Sequence, residues 1–189
     1  MPPLYVPSGR AREYAELALN LFRGCPHRCR YCYAPTMLHR KREEFHGEVS
    51  LRAGILEALE KQLPRYRDDP RRVLLCFSCD PFPRGYEYLH DATIAALRML
   101  WENGQDTATL TKNPLPAVEP MLAACRRSRH DPALHDFGVS LSFVDDGLAQ
   151  DWETGAALPT ERRLALSKAR SPCAARNWSS SPSTCAAGS

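Results

Sequence analysis

Gly24-Cys25-Pro26-His27-Arg28-Cys29-Arg30-Tyr31-Cys32-Tyr33 is the stretch from which the rest of the chain is read. Its three cysteines follow the spacing C-x3-C-x2-C within eight residues. A loop this short brings three thiolates to one point and leaves a metal's fourth position without a nearby protein ligand. A structural zinc site wants four protein ligands in a closed tetrahedron. An iron–sulfur cluster takes thiolates, and withholding one leaves an iron open. Just before the loop, Leu17-Ala18-Leu19-Asn20-Leu21-Phe22 is a short apolar run stopped by Arg23-Gly24, which predicts a first buried strand. A strand whose C-terminal end opens into the chemistry is where α/β barrels place their active sites.

Working outward, Val73-Leu74-Leu75-Cys76-Phe77-Ser78-Cys79 predicts a second strand, stopped by Asp80-Pro81. Thr107-Ala108-Thr109-Leu110-Thr111 predicts a third, ended by Lys112-Asn113-Pro114, and the run from Phe137 to Val144 a fourth. Their expected ends at Cys79, Thr111 and Phe143 are 32 residues apart each time (111 − 79 and 143 − 111). Between them, Ser50 is the expected N-cap of a helix with Leu51, Ile55, Leu59 and Leu63 on one face. A second helix over 91–103 carries Ile94, Leu97 and Trp101, and a third opens at Pro116 with Val118, Met121, Leu122 and Cys125 facing inward. Thr160 is the expected N-cap of a last helix containing Leu164 and Leu166. Strand–helix alternation at this period predicts an α/β fold of repeated βα units on a parallel sheet, with four units visible.

At 189 residues the chain fits one domain. With 43% hydrophobic and 25% charged residues its composition is that of an ordinary soluble protein, and a net charge of +3 is too small to argue for nucleic acid. The N-terminus lacks the basic start and apolar run of a signal peptide. No stretch approaches the roughly 20 apolar residues of a membrane span. Eight cysteines in such a chain point to metal ligands or buried thiols rather than disulfides, and so to a reducing cytoplasm. Residues 1–16 are expected to form an N-terminal arm and 17–170 an incomplete core. Residues 171–189, rich in Ser and Ala and without either periodicity, are expected to be a disordered tail. It begins where a fifth strand is due, as after a frameshift or premature end. A sheet stopped after strand four leaves backbone groups along 139–144 unpaired.

Several side chains are candidates for chemistry. Arg23, His27, Arg28 and Arg30 surround the cysteines with positive charge, which offsets a thiolate-bound cluster or simply solvates the loop. Cys76 and Cys79, taken with Cys29 and Cys32, would complete a four-thiolate zinc site. In a regular strand, however, residues three apart face opposite ways, so both sulfurs reach one metal only if the strand bulges. Cys76 is therefore expected to be a small buried hydrophobe. Ser78 and Asp80, Thr111 and Lys112, and Ser140 and Ser142 stand at the expected ends of strands two, three and four.

The loop resembles the radical S-adenosylmethionine (SAM) family, whose hallmark is C-x3-C-x-(aromatic)-C, with Tyr31 as the aromatic. The likeness runs from Leu17 to Ala169. Leu19-Asn20-Leu21-Phe22-Arg23-Gly24-Cys25, Tyr31-Cys32-Tyr33-Ala34-Pro35, Leu75-Cys76-Phe77-Ser78-Cys79-Asp80-Pro81, Leu110-Thr111-Lys112 and Leu141-Ser142-Phe143 are similar to the spore photoproduct lyase-like subgroup. The G-G-E-like segment of many members is absent, and Cys79-Asp80-Pro81-Phe82 resembles the D-P-(aromatic) turn of that subgroup. The resemblance implies a partial (β/α) barrel of six units, with four present and the fifth strand's Glu-Pro pair and the sixth strand missing. It implies a [4Fe–4S] cluster on Cys25, Cys29 and Cys32, with SAM chelating the fourth iron and reductively cleaved to a 5′-deoxyadenosyl radical that abstracts hydrogen from a substrate. Tyr31, Tyr33, Ser78, Asp80, Lys112, Ser140 and Ser142 are the implied SAM contacts. The implied electron donor is a reductant protein such as a flavodoxin or ferredoxin. The substrate is unspecified, and nucleic acid enters by analogy only. A non-catalytic truncated remnant and a zinc-binding module are the alternatives.

Overall fold

The computed structural model describes residues 2–67, 69–127 and 135–168, so the expected tail at 171–189 lies outside the described residues. The fold is mixed α/β with a mostly parallel sheet. Strands β1 (Leu4–Tyr5) and β2 (Leu17–Leu19) pair antiparallel. Strand β3 (Phe22–Arg23), helices α1 (Ala34–Met37) and α2 (Arg42–Gly47), strand β4 (Ser50–Leu51) and helix α3 (Ile55–Gln62) follow. Then come β5 (Val73–Leu75), α4 (His90–Glu102), β6 (Thr107–Thr111), α5 (Leu115–Arg127), β7 (His135–Val139), α6 (Asp146–Trp152) and α7 (Pro159–Lys168).

The main sheet has the order β1-β2-β5-β6-β7, and the last four strands are mutually parallel and adjacent in chain order. Parallel strands need crossovers, which α3, α4 and α5 supply. Successive strand residues alternate faces. Leu17, Leu19, Val73, Leu75 and Phe137 enter the main core with Leu59, Leu97, Leu100 and Trp101 from the helices. Leu74 and Ala108 turn the other way, onto Ala15, Tyr14 and Phe77. One polar pair is built into the main core, where Trp101 Nε1 donates to Thr107 Oγ1 at 2.8 Å and the indole stacks on His135.

The four parallel strands fall where the sequence predicts them: the third keeps its expected bounds, the first and second are shorter, and the fourth begins two residues earlier and ends sooner. The first expected strand divides in two: β2 joins the main sheet, while Phe22–Arg23 pairs with Ser50–Leu51 in a separate ribbon. Ser50 is therefore a strand residue and not a helix cap, and α3 starts after Gly54. The second strand stops at Leu75 because Cys76 adopts a left-handed conformation with φ 59°. The fourth stops at Val139, with Ser140 N still donating to Thr111 O at 2.9 Å, so most of the expected 139–144 edge is not sheet at all. Thr160 lies inside α7, and its hydroxyl donates to Asp146 Oδ2 at 2.6 Å.

Residues 1–16 are more than an arm, since β1 forms one edge of the sheet. An edge strand offers unpaired backbone groups to any passing chain. Here Gln62 covers them: Leu4 N donates to its Oε1 at 2.8 Å, and its Nε2 donates to Leu4 O at 2.9 Å.

Gly24 joins β3 to the cysteine loop at φ +80°, and a Cβ there would overlap Glu48 O and lie 2.7 Å from Phe45 O. Gly85 has the same φ with nothing within 4 Å. Gly24→Ala is expected to cost about 3 kcal/mol or more, since left-handed strain adds to a clash with backbone. Gly85→Ala should cost only about 1 kcal/mol. Urea denaturation of the two variants measures the difference, and equal losses would refute the close-approach argument.

Candidate functional site

The C-terminal ends of β5 and β6, with Ser140 just past β7, line a cavity of about 390 Å³, in the range of small-molecule sites. Cys25, Cys29 and Cys32 all line it. The loop that carries them is fixed through its own backbone. Arg42 of α2 donates from Nη1 to Cys29 O at 2.9 Å and from Nη2 to Cys32 O at 2.7 Å. One turn later His46 Nδ1 lies 2.8 Å from Cys25 O, while Cys25 N donates to Phe45 O at 3.0 Å. Residues four apart share a helix face, so this short helix grips the loop at both ends. In the sequence Arg42 stands in the charged run Arg40-Lys41-Arg42-Glu43-Glu44, and the Arg-x3-His spacing is the one hint of a shared face.

Asp80 ties the loop to the strands. Its Oδ1 accepts from Phe82 N at 2.8 Å and Thr111 Oγ1 at 2.6 Å, and its Oδ2 accepts from Lys112 N at 2.8 Å. His27 Nδ1 stands 3.4 Å from Oδ2, and His27 Nε2 faces Arg84 N at 3.4 Å. A neutral imidazole with its proton on Nδ1 suits both neighbours, donating toward the carboxylate and accepting from the amide. Burial pulls the His27 pKa down to about 4, against the pull of Asp80 upward. Asp80 lines the cavity but is fully occupied by protein donors, so its placement is that of an organiser.

Of the seven implied SAM contacts, Tyr31, Tyr33, Ser78, Asp80, Lys112 and Ser140 line the cavity. Ser142 does not; it is exposed and reaches the Tyr31 hydroxyl at 2.7 Å. Lys112 Nζ donates to Ser140 Oγ. Burial lowers the Lys112 pKa, while nearby Cys29 raises it. Burial raises Tyr33 to about 12.

Cys76 and Cys79 line the same cavity. The expectation that they face opposite ways assumed a regular strand through Cys79. The left-handed turn at Cys76 removes that premise, and both residues face one cavity. Cys76 is nonetheless buried, at 5% exposure. Two groups that sequence reasoning missed, Glu153 and Arg162, lie behind Lys112 and are buried as an ion pair 2.6 Å apart.

Among the described residues, no three His, Cys, Asp or Glu side chains are gathered as a single-ion site. That argues against the four-thiolate zinc arrangement, in which all ligands must meet at one atom. A cluster makes a different demand, because each thiolate bonds its own iron and the sulfurs need only face one cavity. The lining would suit such a group: three thiols, an Asp80 carboxylate already engaged by protein donors, and the Lys112 ammonium on the same cavity. Burial pushes the Cys25 thiol well up and Cys29 to about 12, with Lys112 lowering the latter, so ligation must expel protons.

Uncharacterized proteins of Mycobacterium bovis and Mycobacterium tuberculosis are 30% identical to the chain over 168 residues, covering 85% of it and 47% of each relative. The chain thus spans about half the length of the curated relatives it matches. No family model and no solved structure matches. Among the described residues, no helix is long and apolar enough to cross a membrane.

Removing the Asp80 carboxylate strands three donors, each costing about 1–3 kcal/mol when buried and unpaired. Asp80→Ala should therefore lose about 3 kcal/mol or more, and Ser78→Ala on the same turn under about 1 kcal/mol. Thermal and urea unfolding of both variants provide the comparison. A near-neutral Asp80→Ala would remove it from the centre of the site.

Proposed function

We propose that this chain is a radical SAM protein of the spore photoproduct lyase-like kind, holding a [4Fe–4S] cluster on Cys25, Cys29 and Cys32. The observation that carries the reading is that these three thiols, and no nearby fourth from their own loop, line one cavity at the C-terminal ends of a parallel sheet. Strands adjacent in chain order support a (β/α)-barrel arrangement over a doubly wound one, which reverses order at a switch point. When bound, the cluster supplies the electron that cleaves SAM at its sulfonium and so starts hydrogen abstraction.

The chain's own residues bind, orient and shield. Arg42 and His46 hold the thiol-bearing backbone, and Asp80 holds the strand ends behind it. Lys112 presents an ammonium to the cavity for a carboxylate, with Ser140 fixing its direction. Tyr33, 54% exposed, covers the mouth beside Phe77. A flavodoxin- or ferredoxin-type protein is the proposed electron donor. A reducing cytoplasm is the proposed setting, since such clusters and free thiols require one.

Anaerobic iron–sulfur reconstitution with absorption and EPR spectra, with and without SAM, tests the proposal. Bound iron is expected to disappear in Cys25→Ala, Cys29→Ala and Cys32→Ala and to persist in Cys76→Ala. SAM should alter the EPR signal of the reduced protein. Full iron retention in Cys29→Ala, or a colourless protein carrying one zinc, would sink it.

A further inference from the structure

Residues 152–157 run along the cysteine loop although more than a hundred residues separate the two in sequence. Cys29 and Glu153 form an antiparallel bridge, Arg30 N donates to Trp152 O at 2.8 Å, and Gly155 N donates to His27 O at 3.0 Å. The approach is close enough that a Cβ on Gly155 would overlap Pro26 O and lie 2.9 Å from His27 Cα. On its other side the segment is tied to the strand ends, with Ala157 N donating to Lys112 O at 3.0 Å. Arg162 fastens it further, donating from Nε to Ala157 O and from Nη1 to Ser140 O, both at 2.7 Å.

Glu153 stands at the centre of this seam with its side chain wholly buried. Its Oε2 accepts from Arg162 Nη2 at 2.6 Å. Its Oε1 accepts from the Tyr31 hydroxyl and lies 3.6 Å from Lys112 Nζ. A buried carboxylate is costly unless its lone pairs are used, and here one oxygen serves the fold while the other serves the cavity wall. Packing alone would not need the second oxygen's two partners. Tyr31 lies between two cluster-loop cysteines, and Lys112 ends β6, so both of that oxygen's partners are residues lining the cavity.

The geometry points to Glu153 as a positioning residue that latches the cysteine loop, through Tyr31, to the ends of β6 and β7. The latch sets where Tyr31 and Lys112 stand across the cavity mouth before any ligand arrives. As a device serving a cofactor it rests on the function proposed above; as a latch it is testable without one.

Limited trypsin digestion of the metal-free full chain provides the test. Arg28 and Arg30 are exposed within the latched loop, and Arg67 is exposed far from it. Proteolysis reports local opening when reclosing is fast. Glu153→Gln should raise cleavage after Arg28 and Arg30 about tenfold or more, the effect of losing a hydrogen bond to a charged acceptor, and leave cleavage after Arg67 unchanged. Tyr31→Phe should act in the same direction, and the double variant should fall short of the sum of the two, since the Tyr31–Glu153 bond is common to both. Unchanged protection at Arg28 and Arg30, or full additivity, overturns the latch. Should Glu153→Gln fail to fold, seen as fast cleavage after Arg67 as well, Tyr31→Phe decides, and unchanged protection there overturns it. Cluster assembly by the unaltered chain is read separately, so its failure would count against the proposed function and not against the latch.

Discussion

One buried carboxylate holds the site side of this molecule together. Asp80 takes the hydroxyl of Thr111 and the backbone N–H of Lys112 from the end of β6, the N–H of Phe82 from its own turn, and faces His27 of the cysteine loop. Parallel strands lie side by side through their ladders, but nothing in a ladder fixes what their ends do. Four contacts on one group fix three chain segments at once. Hydrogen bonds to a charged acceptor are the strong kind, and Asp80 is buried. The fully engaged state of Asp80 also leaves the cavity's ligand chemistry to the thiols, Lys112 and the hydroxyls.

How much of this was legible in the sequence follows the range of the interactions. The C-x3-C-x2-C spacing is local, and its three thiols line one cavity as a short loop requires. The four parallel strands were legible because apolar runs and stop residues are local signals too. Cys76 is buried as expected, but the strand's run on to Cys79 was misread for an instructive reason. The alternation rule holds within a strand, and this strand stops at Leu75, before a left-handed Cys76 that propensity disfavours outside glycine. Leu4–Tyr5 was missed because two residues carry no period, and only Gln62, 58 positions away, makes the edge tolerable.

Glu153 and Arg162 were illegible for a deeper reason. In sequence they sit among Asp151, Glu161 and Arg163, an ordinary charged surface by composition. What distinguishes them is that each is buried against the other's charge. Burial of a pair is a property of the folded chain, because either partner alone would be excluded from the interior. Leu164, in the expected last helix, illustrates the converse: it is 50% exposed while Ala165 and Arg162 are buried. The helix turns Ala165 into the main core and the Arg162 guanidinium onto Glu153 and Ser140 O.

The cysteine loop is therefore gripped from three directions that share no residue. Arg42 and His46 hold its carbonyls from α2, Asp80 faces its histidine from the strand ends, and residues 152–155 run along its far side. A free loop of eight residues would have to be ordered by whatever it binds, at roughly 1–2 kcal/mol per residue of backbone entropy. Here that ordering is met when the chain folds, so the ligand's binding energy is not spent on it. A second cost falls on Cys25 and Cys29, whose thiols burial pushes up, so a metal bound there would have to displace their protons. Low ordering cost and high deprotonation cost together favour ligands that bind thiolates strongly and disfavour casual cations. The proposed cluster would meet those two conditions, and an organic ligand beside it would meet a wall, Lys112 and Ser140, that the same seam already holds in place.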